Sequence, residues 1–237
     1  MLPTEKTKPT DNPLAYSTLI YGPTKVGKTT FAAQADNAIF LATEPGLNAL
    51  EVYQIPCPDW PTMLKACGEL ATKDHKFSTV VIDTVDNAYQ FCMEHTCKQM
   101  GIAHPSDAAY GKGYSAVNNE FKRVLLKLSH LPIGLILISH SQEKNIETKT
   151  GSYSKITTTL PESARKVVIG LMDLVLLAEV TADKDNPQRI LKTKPSVAYD
   201  AGDRTGRLPD TLPLDYAAFY AAFTQALKPQ TKGRKTK

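Results

Sequence analysis

One stretch, Gly22–Thr29, constrains this chain more than any other part of it. Its residues, Gly-Pro-Thr-Lys-Val-Gly-Lys-Thr, match the pattern G-x-x-x-x-G-K-[ST] of a loop that wraps the phosphates of a nucleotide. The apolar run Ser17–Tyr21 precedes the loop, and a helical pattern over Lys28–Ala35 follows it. Strand, glycine-containing loop and helix in this order form the setting in which the pattern binds phosphate, so we expect a nucleotide site here.

Each residue type in this phosphate loop has a chemical role. The glycines let the backbone curl so that successive N–H groups point inward, and the helix N-terminus adds about half a positive charge. The Lys28 ammonium group can reach the β- and γ-phosphates, and the Thr29 hydroxyl can ligate Mg²⁺. We therefore expect the nucleotide to contact Gly22, Pro23, Thr24, Lys25, Val26, Gly27, Lys28, Thr29 and Thr30.

The remaining apolar segments predict an α/β fold. Strands without polar alternation that are separated by helices indicate a mainly parallel sheet with helices on both faces. The expected strands after the phosphate loop are Ala38–Ala42, Phe77–Asp83, Ile133–Ser139, Leu174–Val180 and Arg189–Lys194. The expected helices are Pro61–Lys73 with Asp59 as its N-cap, Val85–Met100, Ala116–Leu131, Glu162–Gly170 and Asp215–Leu227.

Ligands of a parallel sheet lie at the carboxyl ends of its strands, so the residues that follow the strands are candidates for chemistry. Asp83 ends an apolar strand and is expected to hold Mg²⁺ opposite Thr29, although an aspartate there can also simply cap the next helix. Many ATPases place a water-activating glutamate directly after this aspartate, but this chain has Thr84. Glu44, which follows Ala38–Ala42, is therefore the candidate general base, its alternative role being that of a turn residue.

His140 ends the strand Ile133–Ser139. A polar side chain at this position can contact the γ-phosphate and report the nucleotide state to the segment that follows. A histidine that is satisfied within the core is an equal alternative, and the sequence leaves the two open.

The phosphate loop, Glu44, Asp83, His140 and the pair Lys192–Lys194 together resemble the core of the RecA family. More narrowly, the chain is similar to short RecA-like phage ATPases of the AAA type, some of which anneal single-stranded DNA during recombination. The resemblance covers about residues 16–209. It implies a RecA-like P-loop NTPase core that binds and hydrolyses ATP with Mg²⁺.

The resemblance also implies an assembly with active sites between subunits. In RecA-like filaments the glutamate after the second strand activates water, which supports Glu44. Lys192 and Lys194 match lysines that reach a neighbour's nucleotide, and Arg204 resembles the arginine that ring helicases insert in trans. The expected partner is therefore a second copy of the chain, in a ring or a filament.

Two segments, Gly101–Ser115 and Ser141–Leu160, read as long loops and fall where RecA has its DNA-binding loops. Sequence-neutral binding of single-stranded DNA uses backbone cations and stacked aromatic rings. The candidate DNA-binding residues are Tyr110, Lys112, Tyr114, Lys144, Lys149, Tyr153 and Lys155. This implies ATP-dependent binding of single-stranded DNA, with annealing favoured over full strand exchange. It also implies an ATPase turnover that is slow alone and stimulated by DNA.

Composition sets the boundaries around this domain. Residues 1–14 are expected to form a flexible arm, residues 15–227 the ATPase domain, and residues 228–237 a basic, disordered tail. Five of the 28 basic residues lie in that tail, which leaves 23 basic against 24 acidic residues elsewhere. Four cysteines without a C-x-x-C pattern, and no apolar run that could span a membrane, predict a cytoplasmic protein with free thiols.

Two other functions use the same loop. A small-molecule kinase needs a lid of arginines over its acceptor substrate, but residues 101–134 contain a single arginine, Arg123. A binding module in which ATP acts as a switch with little turnover is the second alternative.

Overall fold

The structure is a computed structural model of the chain, and it describes residue 2 and residues 4–149, 151–183 and 185–225. The predicted basic tail, residues 228–237, lies outside these described residues, as does the end of the predicted helix Asp215–Leu227.

Strands and helices largely alternate along the described chain. The strands are β1 (Thr18–Gly22), β2 (Ala38–Ala42), β3 (Tyr53–Pro56), β4 (Thr79–Asp83), β5 (Gly134–Thr148), β6 (Gly151–Thr158), β7 (Leu174–Val180), β8 (Arg189–Lys192), β9 (Gly202–Asp203) and β10 (Thr211–Pro213). The helices are α1 (Lys28–Ala33), α2 (Trp60–Thr72), α3 (Val85–Met100), α4 (Lys112–Ser129), α5 (Glu162–Leu171) and α6 (Tyr216–Gln225).

The strands form a sheet in the order β10-β8-β7-β1-β5-β4-β2-β3. From β7 to β3 the neighbours are parallel, and β1 lies between β5 and β7. Antiparallel β8 and β10 extend one edge, β9 pairs antiparallel with β7, and β6 pairs with β5. Strands β1, β2 and β4 are buried along their whole length, because helices cover both faces. The predicted α/β fold with a mainly parallel sheet is confirmed.

Aromatic side chains join the helices to one another on each face of the sheet. On one face, Phe121 of α4 packs against Trp60 of α2 and Tyr89 of α3, with ring centroids 6.2 and 5.1 Å apart. On the other face, Phe31 of α1 packs edge-on against Phe219 of α6 at 5.7 Å. Helix α6 therefore braces the helix that starts at the phosphate loop.

Several predicted elements have the predicted bounds. Strands β2 and β7 and helix α3 begin and end at the expected residues. Asp59 caps α2, since its Oδ1 accepts the Thr62 N–H at 2.8 Å.

The predicted loop Ser141–Leu160 is wrong, because the segment forms a hairpin. Strand β5 continues beyond the sheet to Thr148, and β6 returns from Gly151. Most of the described hairpin side chains near the tip are polar and exposed on both faces, so no alternation of apolar and polar residues marks the strands. Its threonines and isoleucines favour extended backbone, and cross-strand pairs such as Ile146–Tyr153 supply the contacts.

The predicted loop Gly101–Ser115 is wrong in its second part. Short 3₁₀ turns cover Pro105–Asp107 and Ala109–Gly111, and α4 begins at Lys112 rather than at Ala116. A Cβ on Gly113 would lie 2.2 Å from the Pro105 carbonyl oxygen, so glycine allows the first turn of α4 to pack against the preceding turn. Tertiary contact here overrides the low helix propensity of glycine.

The predicted N-terminal arm, residues 1–14, is attached to the domain at its end. Pro13–Ala15 forms a 3₁₀ turn in which Pro13 is buried. The Thr10 carbonyl accepts hydrogen bonds from the Tyr16 hydroxyl at 3.1 Å and from Arg207 Nη1 at 2.6 Å. The described residues before Thr10 have no helix or strand.

Candidate active site

The phosphate loop connects the end of β1 to the start of α1 at the carboxyl edge of the sheet. Gly27 has φ of 117° and Lys25 has φ of 63°, so the backbone takes left-handed conformations within the loop. Gly22 has another reason to be glycine, because a Cβ there would lie 2.2 Å from the carbonyl oxygen of Ala178 on β7. The loop is thus held against the sheet with its N–H groups available for an anion.

Lys28 is folded back over the phosphate loop. Its Nζ donates hydrogen bonds to the carbonyl oxygens of Gly22 and Pro23, both at 2.8 Å. Burial lowers the pKa of the Lys28 ammonium group, while the nearby carboxylates of Asp83, Asp86 and Glu44 oppose that shift. A bound phosphate would supply the negative charge that this buried cation needs.

The two predicted metal ligands lie together. The Thr29 hydroxyl donates to Asp83 Oδ2 at 2.9 Å, and Asp83 is only 7% exposed. Burial raises the pKa of the Asp83 carboxyl group, and the Thr29 hydrogen bond and Lys28 lower it in part. One carboxylate and one hydroxyl are hard oxygen donors that suit Mg²⁺, which takes its remaining ligands from phosphates and water.

Glu44 lies beside this pair because β2 and β4 are neighbours. The register places Ala42 opposite Asp83, and the Thr43 N–H donates to the Asp83 carbonyl at 2.8 Å. Glu44 is partly exposed, and its Oε2 accepts a hydrogen bond from Asn87 Nδ2 at 3.1 Å. A carboxylate that is held by an amide and open to solvent can accept a proton from water.

Thr84 holds the position at which many ATPases have a glutamate. Its N–H donates to Thr43 Oγ1 at 2.7 Å, and the Thr43 hydroxyl donates back to the Thr84 carbonyl at 2.8 Å. The Thr84 side chain is buried, whereas the Glu44 side chain is partly exposed.

His140 links the site to the hairpin. It lies opposite Gly22 in the register of β1 and β5, and its Nε2 is 3.6 Å from Glu44 Oε1. Its Nδ1 is buried without a hydrogen-bond partner among the described residues. The Thr159 N–H, at the base of the hairpin, donates to the His140 carbonyl at 3.0 Å. His140 is therefore not a core histidine with all of its hydrogen bonds satisfied, and it lies close to the phosphate loop.

Sequence reasoning missed Asp86 and Asn87, which lie in the first turn of α3. Asp86 accepts hydrogen bonds from the Ser139 hydroxyl at 3.0 Å, the His140 N–H at 3.3 Å and the Thr159 hydroxyl at 2.5 Å. Asp86 and Asn87 follow Asp83 by three and four residues. Polar residues at the start of a helix that follows a buried strand are the sequence signal that could have identified them.

A family model described as an AAA domain matches residues 14–205, which is most of the chain. The chain belongs to this AAA domain family. It is therefore a P-loop ATPase-like nucleotide-binding domain, and ATPases of this class generally use ATP with Mg²⁺.

A curated protein is also similar to part of this AAA domain. The SPbeta prophage-derived uncharacterized protein YorG of Bacillus subtilis (strain 168) is 26% identical over 130 residues. The match covers 52% of this chain and 40% of that protein, so the chain spans less than half of the relative's length.

The three cations expected to act in trans are paired within this AAA domain. Lys192 Nζ lies 3.0 Å from Glu179 Oε1, Lys194 Nζ lies 3.4 Å from Asp203, and Arg204 Nη1 lies 2.7 Å from Asp173 Oδ1. Strand β8 runs antiparallel to β7, so Lys192 and Lys194 lie progressively farther from the carboxyl edge that holds the phosphate loop. The chain thus does not bring them to its own site.

The candidate DNA-binding residues divide between two regions. Tyr110 is 99% exposed in its 3₁₀ turn, and Lys112 and Tyr114 lie in the first turn of α4. The hairpin carries the others, of which Lys149 lies at the turn.

A cleft of about 400 Å³ separates the hairpin from α5. Lys144, Tyr153 and Lys155 of the hairpin line it, together with Arg165 of α5, which the sequence analysis did not single out. Lys155 lies 2.6 Å from Asp200, and the Arg165 guanidinium has no ion-pair or hydrogen-bond partner among the described residues.

The four cysteines are free thiols, three of them buried and Cys67 partly exposed. In the described parts of the chain, none of the helices combines the length and the apolar character needed to cross a membrane.

Proposed function

We propose that this AAA domain hydrolyses ATP, with Glu44 as the general base. The observation that carries the proposal is the meeting of Lys28, Thr29, Asp83 and Glu44 at one edge of the sheet. The loop amides and Lys28 hold the phosphates, and Glu44 takes the proton of the attacking water. Mg²⁺ bound through Thr29 and Asp83 would neutralise the charge that develops on the phosphate oxygens. His140 senses the γ-phosphate.

The test is turnover of the full chain with Glu44→Gln. We expect kcat to fall by about 10²–10⁴-fold with ATP affinity nearly unchanged, because the amide keeps the Asn87 contact but cannot accept the proton. Glu51→Gln is the matched control, since Glu51 is an exposed glutamate of the segment that follows β2. Retention of more than half the turnover by Glu44→Gln would remove Glu44 as the base.

We also propose that ATP binding is coupled to single-stranded DNA, with annealing in recombination as the cellular role. The cleft between the hairpin and α5 supports this proposal, because it combines lysines, an unpaired arginine and a tyrosine that is 37% exposed. Cations track the DNA backbone and aromatic rings stack on bases. The hydrogen bonds that Thr159 donates to the Asp86 carboxylate and to the His140 carbonyl connect this hairpin to the nucleotide site.

Anisotropy of a labelled oligo-dT, with ATP, ADP and no nucleotide at two salt concentrations, tests the coupling. Tyr153→Ala is expected to cost about 1–3 kcal/mol of binding, and Arg165→Ala is expected to weaken binding and reduce its salt dependence. Lys65→Ala, an exposed lysine on α2, is the control. If both variants bind oligo-dT like the unaltered chain while ATP turnover persists, the cleft is not the DNA interface. DNA-independent turnover would favour an ATPase with another partner.

We further propose that the protein assembles as a homo-oligomer in the cytoplasm. Its four free thiols support a reducing compartment. The assembly would place Lys192, Lys194 and Arg204 at a neighbour's nucleotide.

A further inference from the structure

Gly27 of the phosphate loop faces two side chains from a distant part of the chain. A Cβ on Gly27 would lie 3.4 Å from Leu214 Cδ2 and 3.6 Å from Arg189 Nη1. The absence of a side chain at Gly27 therefore leaves a guanidinium group and a leucine directly beside the loop.

The antiparallel edge of the sheet explains this placement. Strand β8 starts at Arg189 opposite Val180, at the carboxyl end of β7 and on the phosphate-loop side. Leu214 follows β10, and its N–H donates to the Arg189 carbonyl at 2.9 Å. This backbone hydrogen bond places Leu214 next to Arg189.

The Arg189 guanidinium is exposed and has no hydrogen-bond or ion-pair partner among the described residues. Arg123, Arg204 and Arg207 each have a partner. An arginine that lies against an anion-binding loop without a carboxylate partner is available to a ligand.

The two sides of the loop differ in chemistry. Thr29, Asp83 and Glu44 lie toward β4 and β2, which is where the terminal phosphate and Mg²⁺ are required. The nucleoside is at the other end of the phosphate chain. It must leave the loop on the side of β7, β8 and β10, which is the side of Arg189 and Leu214.

We propose that Arg189 and Leu214 form the wall on which the nucleoside half of the nucleotide lies. The planar guanidinium stacks on the face of the base, and Leu214 gives apolar contact beside it. This inference rests on the proposed nucleotide binding, and it names the part of the ligand that these residues recognise.

The experiment compares ATP with inorganic tripolyphosphate, which has the phosphates but no nucleoside. Affinities are measured by calorimetry with Mg²⁺ and without DNA, so that DNA binding does not enter, and in the Glu44→Gln background, so that turnover is suppressed. Arg189→Ala and Leu214→Ala are each expected to weaken ATP binding about 10-fold and to leave tripolyphosphate binding within about twofold. Gln188→Ala is the control, since Gln188 is exposed and directly precedes Arg189 in the chain.

Equal weakening of ATP and tripolyphosphate by Arg189→Ala would overturn the proposal, because Arg189 would then contact phosphate. Unchanged binding of both ligands would overturn it as well. Failure of the proposed nucleotide binding is distinguishable, because the unaltered chain would then bind neither ligand, and failure of hydrolysis alone would leave these affinities unaffected. Arg189→Lys separates stacking from charge, and recovery of less than half of the lost ATP affinity is expected if the planar group matters. Circular dichroism verifies that each variant is folded.

Discussion

Asp83 is a buried carboxylate whose surroundings disfavour its charged form. Burial raises its pKa above the ordinary value of 3.8, and the Thr29 hydrogen bond and Lys28 only reduce the shift. The folded state therefore binds this proton more tightly than the unfolded chain does. The contribution of Asp83 to stability is favourable below its unfolded pKa and is lost as the pH rises through the folded value. The ionised carboxylate that Mg²⁺ binding requires therefore lowers the stability of the metal-free protein at neutral pH.

We expect Asp83→Asn to raise the free energy of unfolding at pH 7 in the absence of Mg²⁺ and nucleotide. The Asn oxygen can still accept the Thr29 hydroxyl, and the buried charge is gone. The gain should shrink as the pH falls and the native carboxyl group takes up its proton. Urea denaturation at several pH values measures the effect, and a less stable variant at pH 7 would show that Lys28 fully compensates the charge.

Most residues of the site could be predicted one by one. Thr29 belongs to a motif, and Glu44, Asp83 and His140 follow apolar strands whose carboxyl ends meet at one edge. Arg189 could not be predicted, because the end of an antiparallel strand reaches the phosphate loop only through the strand order.

At the scale of elements, helix α6 supports the nucleotide site although none of its side chains has a role in the proposed reaction. Phe219 is buried against Phe31, and Phe31 belongs to the helix that begins with Lys28. Loss of that ring would leave a cavity between α6 and α1.

Phe219→Ala is therefore expected to lower the free energy of unfolding by about 3–5 kcal/mol. Tyr220→Ala is the matched control, since Tyr220 lies on the same helix but is 40% exposed, and it should cost less than about 1 kcal/mol. Thermal or urea unfolding compares the two. Equal costs would mean that α6 contributes through its helical structure rather than through the buried face.

The hairpin shows where local pattern fails for an element. Polar strands that project from the sheet bury little apolar area, so neither helical nor strand periodicity marks them. Their pairing with each other decides the structure. Helix α3 is the opposite case, since the sequence predicts both of its ends, Val85 and Met100.

At the scale of the whole molecule, the proposed assembly requires cations of one subunit to reach the nucleotide of another. Lys194 and Arg204 are paired with acids of their own chain, and the Arg204 side chain is 60% exposed. An exposed ion pair contributes little to stability, so Arg204 can exchange Asp173 for a neighbour's phosphate at small cost.

Mixing two inactive variants tests this. If sites lie between subunits, equal amounts of Glu44→Gln and Arg204→Ala should together recover about a quarter of the unaltered specific activity, because one in four random interfaces combines an intact Glu44 with an intact Arg204. Steady-state ATPase activity after subunit exchange is the measurement. A mixture no more active than the two variants alone would place Arg204 outside the active site.

The amino-acid sequence by itself determined the class of this protein. The loop Gly22–Thr29, the continuous apolar strands and the polar residues that end them are local patterns, and each follows from backbone geometry or burial. Only the tertiary structure decided which remote residues meet. The hairpin lies over α5, α6 braces α1, and Arg189 lies beside Gly27, because these contacts depend on strand order and packing between segments far apart in the chain.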